Sequence, residues 1–133
     1  MAVFDTFALV KLLKKEKGYE AVTEMLLCKG IISEATLYEL TYVTVRDLLA
    51  QGFSLNESIH KASEIISSIS EYLHREVLSD RIMHYAVYFK IKYNKLNLSH
   101  FDCIALATAK VFSQPLVSGE KGLAQVKEVK VVG

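Results

Sequence analysis

Short apolar runs alternate along the chain with longer segments whose apolar positions recur every three or four residues. Ala2-Val3-Phe4 is the first run, and it leads into Phe7-Ala8-Leu9-Val10 and a basic stretch to Lys17. That pattern predicts a buried strand entering a helix, with Gly18 closing the helix. A second helix over 19–28 would carry Ala21, Val22, Met25 and Leu26 on one side and end at Lys29-Gly30. Ile31-Ile32 follows as a second strand. Ser33 is placed to cap a long helix over 34–51, which Gly52 stops. Ser54-Leu55-Asn56-Glu57 has the form of a capping box, so another helix begins there and carries Ile59, Ala62, Ile65, Ile66 and Ile69.

Residues 71–78 suit either a continued helix or a short strand, and an interruption of the helix is the expectation. Ser79-Asp80 restarts a helix to about residue 94, with Lys90 and Lys92 in its last turns and Lys95 just beyond, where the helix dipole favours cations. Ser99 caps a further helix that must end before Pro115, the one proline. Leu116-Val117-Ser118 reads as a strand, 119–122 as a turn and 129–132 as a last strand. Apolar strands alternating with helices predict an α/β fold in a single domain over 1–133. Its four- to five-stranded, mostly parallel sheet would be covered by helices on both faces.

A chain of 133 residues with 51% hydrophobic and 23% charged residues is long enough for a core and too apolar for disorder. The mean hydropathy of +0.23 leans toward a surface that associates with a second copy or a partner. A net charge of +1 leaves no bulk charge for nucleic acid, so any such binding must come from local patches. Cys28 and Cys103 stand far apart, outside any C-x-x-C pair, and read as structural thiols in a reducing cytoplasm. Asp5 interrupts the first apolar run too early for a targeting segment, and no apolar run is long enough for a membrane span.

Four acids stand out against this pattern. Asp102 heads a helical stripe through Ala105, Leu106 and Ala109, the side that turns toward a core. An ionised acid there is costly unless compensated. Glu39 is the only charge between Ala35 and Val45. Asp5 and Glu120 fall just past the ends of two strands, and open parallel sheets bind ligands at that edge. Three of them also have a plain structural reading, and Glu39 has none because nothing local compensates it. Asp5 can cap a helix, Asp102 can close a capping box with Ser99, and Glu120 can be a solvated turn residue. Four converging carboxylates would repel one another, and a hard divalent cation, Mg²⁺ or Mn²⁺, relieves that with oxygen ligands and its own waters. The four histidines, His60, His74, His84 and His100, have no metal-ligand spacing. No H-E-x-x-H, G-x-S-x-G or P-loop occurs.

The blocks FDTFALVKLL, ISEATLYELTYV, LSHFDCIALATA and LVSGEKGL together resemble the PIN domain family, and more narrowly its small VapC-type toxins. The resemblance spans nearly the whole chain. It implies a three-layer α/β/α fold and an Mg²⁺- or Mn²⁺-dependent ribonuclease that hydrolyses RNA phosphodiester bonds with a water nucleophile. By resemblance Asp5, Glu39 and Asp102 bind metal, a fourth acid supports the site, and the Thr6 and Ser118 hydroxyls orient it. It also implies a homodimer and a VapB-type antitoxin partner. The chain departs from the pattern at Glu120, where the family usually has aspartate. One extra methylene leaves direct, water-mediated and swung-out positions all open. Lysines at 11, 14, 15, 90, 92 and 95 read as solvated helix faces and receive no site role.

Two other readings compete. A PIN-like scaffold that binds without cleaving is compatible with Glu120. A phosphate-handling domain with an acid pair after its first strand is not, because the run there is Asp5-Thr6-Phe7.

Overall fold

The computed structural model describes residues 1–133 and contains five strands: β1 (Ala2–Phe4), β2 (Gly30–Ser33), β3 (Leu73–Glu76), β4 (Leu116–Val117) and β5 (Val131–Val132). They pair in the order β3-β2-β1-β4-β5, every pair parallel. Six helices connect them: α1 (Thr6–Leu13), α2 (Tyr19–Leu27), α3 (Glu34–Ala50), α4 (Leu55–Ser70), α5 (Asp80–Lys92) and α6 (His100–Val111). The expected α/β sheet is thus present, with all five strands parallel.

Successive strand residues point to opposite faces of a sheet, and the central strands divide the core accordingly. Val3, Ile31 and Leu116 pack with Ile82 and Phe89 of α5 and Cys103 and Leu106 of α6. Ala2, Phe4, Ile32 and Val117 face the other way, onto Leu9, Val22, Leu26, Leu40 and Ile66 of α1 to α4. The layers are therefore helix, sheet, helix. α6 is buried on almost every side, with Cys103 and the run Ala105 to Ala109 all enclosed, because three alanines and one threonine leave room for α3, α5 and the sheet. Burial pushes the Cys103 thiol up to about 11, which makes it a packing group. No helix is long and apolar enough to cross a membrane.

The helix ends differ from the sequence reading at two glycines. α1 stops at Leu13, and Lys15 leaves the helical path with φ 52°, whereas Gly18, φ 91°, opens α2. Gly30 is not a helix stop. Lys29, φ 71°, makes that turn, and Gly30 begins β2. A Cβ on Gly30 would lie 2.5 Å from the Phe4 ring and 3.1 Å from Leu73, so the missing side chain is what lets three strands pack together. On α2, Val22 and Leu26 are buried but Ala21 is exposed. Residues 71–78 do interrupt the helices. Leu73–Glu76 is an edge strand with His74 and Arg75 exposed, which is why it carries no apolar run.

Gly30→Ala should lower unfolding stability by about 1–3 kcal/mol through overpacking against Phe4. Urea unfolding of the two proteins would measure it, and an unchanged midpoint would show that the ring has room to move.

Candidate active site

From β1 the chain steps outward to β2 and β3, and then back past β1 to β4 and β5. The sheet order reverses between β1 and β4, and the crevice at such a switch point, outside the carboxyl ends of the strands, is where open α/β sheets bind ligands. Asp5 lies at the end of β1 and Ser118, Gly119 and Glu120 follow β4, so both lips of that crevice carry the predicted residues.

Asp5 is buried and caps α1, its Oδ1 accepting from the Ala8 amide at 2.8 Å. The Gly119 amide donates to the same oxygen at 3.3 Å, and the Ser118 hydroxyl donates to Oδ2. Ser118 also accepts from the Glu120 amide at 2.9 Å, so one hydroxyl ties the first acid to the backbone of the fourth. Thr6, the first residue of α1, is buried and donates its hydroxyl to Glu39 Oε1 across to α3. Asp102 closes the capping box of α6: the Ser99 amide donates to its Oδ2 at 2.9 Å, and its own amide donates to Ser99 Oγ at 3.0 Å. The other end of the Leu98–Ser99 peptide is also held, because Lys90 donates its ammonium to the Leu98 carbonyl.

The charges of the four acids act on one another. Burial raises the pKa of Asp5, against the opposing bonds from Ser118, Ala8 and Gly119, and the charge of Asp102 raises it further. Glu39 is raised by its partial burial, against the Thr6 bond, and then by the charges of Asp102, Asp5 and Glu120. Glu120 has an exposed side chain, yet it too is raised, by partial desolvation and by Asp102 and Asp5. None of the four is in an ion pair, although six ion pairs occur elsewhere in the chain. Nothing in the protein neutralises them.

An all-oxygen donor set of unpaired, mutually repelling carboxylates fits a hard divalent cation. No three of these side chains stand close enough together to hold a metal ion between them. A Mg²⁺ ion bound here would reach some of them only through its waters, which it keeps readily.

The sequence profile of the PIN domain matches residues 2–129. The chain belongs to the PIN domain family. PIN domains are generally nucleases and typically use divalent metal ions. Among solved structures, the chain is similar to one in a toxin–antitoxin complex from Klebsiella pneumoniae, at 22% identity and a TM-score of 0.71, covering 100% of this chain and 97% of that one. It is similar to a chain of VapBC2 from Rickettsia felis bound to a promoter DNA fragment, at 14% identity and TM-score 0.73, covering 98% and 96%. A third is in DNA-bound VapBC from Salmonella typhimurium, at 12% identity and TM-score 0.74, covering 99% and 98%. At these identities the likeness is one of fold. No curated protein matches in sequence.

Two positioning features went unread in the sequence. Gly119 reads as a turn residue, but a Cβ there would meet Phe7 Cβ at 2.8 Å and its carbonyl carbon at 2.9 Å. Only glycine lets that loop approach α1 closely enough for its amide to reach Asp5. Lys90 reads as a solvated helix-end charge, and its bond to the Leu98 carbonyl has no local sequence signal. Lys14 and Lys92 pair with Asp47 and Glu128, as structural roles require.

In the metal-free protein the pH dependence has a definite sign. Asp5 has a native pKa raised above the ordinary 3.8, so its contribution to stability is complete below that value and is lost as pH rises through the raised one. Asp5→Asn removes the loss. In EDTA the variant should melt higher than the parent at neutral pH, with the advantage shrinking on acidification. A pH series of thermal melts reads this, and a variant less stable throughout would show that ionised Asp5 is fully compensated by its hydrogen bonds.

Proposed function

We propose that this PIN domain is an Mg²⁺- or Mn²⁺-dependent endoribonuclease and the toxin of a VapBC-type pair. The observation that supports the reading is that the charges of Asp5, Glu39, Asp102 and Glu120 act on one another with no ion-pair partner for any of them. Asp5, Glu39 and Asp102 would hold the ion, with Glu120 at its side or reaching it through water. When bound, the ion would offset the carboxylate charge, lower the pKa of water and stabilise charge on a phosphoryl oxygen. Ser118 and Thr6 fix the orientation of Asp5 and Glu39 in advance, and the α6 capping box fixes Asp102. Such prior fixing lowers the reorganisation needed in the transition state. Hydrolysis at this site adds the oxygen of a water to phosphorus and breaks one phosphodiester P–O bond of RNA.

Self-association and capture by a VapB-type antitoxin belong to the same reading. Supporting them are large apolar side chains left in solvent, among them Val87 at 57% and Ile91 at 70% exposure on α5. The two free thiols, Cys28 and Cys103, support a cytoplasmic setting.

Asp102→Asn should reduce RNA cleavage at least about a hundredfold, the upper end of what losing even an outer-shell partner costs. Gel-based cleavage assays over a Mg²⁺ series would check it, and surviving activity with unchanged Mg²⁺ dependence would overturn the assignment. Calorimetry with Mn²⁺ separates this reading from a non-cleaving scaffold. Binding in the millimolar range or tighter, abolished by Asp5→Asn, is expected. A natively folded protein that takes up no Mn²⁺ would be the scaffold.

A further inference from the structure

Three of the four acids have an aromatic residue one or two positions away: Phe7 beside Asp5, Tyr38 before Glu39 and Phe101 before Asp102. The fold leaves two of these rings in solvent within two residues of an acid. Tyr38 is 63% exposed, and Phe7 is at 36%. Tyr38 on α3 and Phe101 on α6 lie 6.2 Å apart between ring centroids with their planes at 30°, so the pair spans the two helices that carry Glu39 and Asp102. One turn beyond Tyr38, Tyr42 is 56% exposed, and the Arg46 guanidinium lies 5.9 Å from its ring centroid. Tyr88 and Tyr93, by contrast, are committed to Glu128 by their hydroxyls.

We propose that Tyr38, Phe101 and Tyr42 form a stacking platform for unpaired nucleobases beside the carboxylate cluster. The inference rests on the nuclease reading and adds to it a base-contacting surface on α3 and α6. Charge cannot supply the affinity. The chain has a net charge of +1, and without a bound cation four unpaired acids repel phosphates. Base–aromatic stacking supplies binding energy without net charge, and Arg46 adds a cation beside the ring. A duplex keeps its bases stacked on one another and offers these rings nothing to cover.

The test is fluorescence anisotropy in EDTA, so that nothing is cut, with three labelled probes: a short single-stranded RNA, the same strand made abasic at its centre, and the matching duplex. The intact single strand should bind on the order of tenfold tighter than the other two, and Tyr38→Ala or Phe101→Leu should erase the preference. The abasic comparison uses the unaltered protein, so it stands even if a variant fails to fold. As the chain lacks tryptophan, Tyr38→Trp gives a single reporter whose emission the intact strand should quench. Equal binding of all three probes, no binding of any, or a preference untouched by both variants would overturn the platform. So would loss of self-association in Tyr38→Ala with the RNA preference intact, since the rings would then belong to a protein interface. Mg²⁺-dependent cleavage without base preference would remove the platform and leave the nuclease. Base preference without cleavage would do the reverse.

Discussion

Four carboxylates whose charges act on one another, none of them paired with a cation, are the constraint on the candidate site. Each would lower its energy by turning to solvent, and local hydrogen bonds hold three of them in place, while burial still raises the pKa of Asp5 and Glu39. The α1 cap and Ser118 hold Asp5, Thr6 holds Glu39, and the Ser99 capping box holds Asp102. Only Glu120 is tied through its backbone alone, from an exposed turn. A natural fold breaks its own electrostatic rules where function demands it, and compensates with rigidity around the site.

The chain shows elsewhere what it does with an acid that serves structure. Glu128 accepts from Lys92, Tyr88 and Tyr93, and those bonds hold its carboxyl down near 2 despite the opposing effect of burial. Lys92 is correspondingly raised and lies over both tyrosine rings. That cluster fastens the segment before β5 to α5. Glu39 receives one hydroxyl and no cation. The contrast separates the two uses of a carboxylate more sharply than burial does, because Glu39 and Glu128 are both only partly exposed.

What could be read from the sequence is what depends on short spacing. The apolar runs marked β1, β2 and β4, and capping chemistry marked the starts of α3, α4, α5 and α6. Asp5, Glu39, Asp102 and Glu120 were visible as acids out of pattern. What could not be read depends on contacts between distant segments. Gly18 and Gly30 look alike as helix punctuation, yet one opens a helix and the other makes room for Phe4 and Leu73. β3 has too few apolar residues to declare itself, because an edge strand buries little. Gly119 acquires its meaning only when Phe7 is placed against it.

Asp102 shows why a structural reading of a residue need not compete with a functional one. In the sequence its capping box offered a complete local explanation, and the structure contains that box. A carboxylate has two oxygens, however, and the box occupies Oδ2 through the Ser99 amide. Its charge raises Asp5, Glu39 and Glu120 alike. Lys90 holds the carbonyl of the peptide whose amide binds Asp102, so a cation secures the acid from behind without pairing with it. The cap thus fixes one oxygen and leaves the other available to a ligand. A helix start that only needed capping would be served equally by a glutamine. One that must also present a negative charge to three other acids requires the carboxylate.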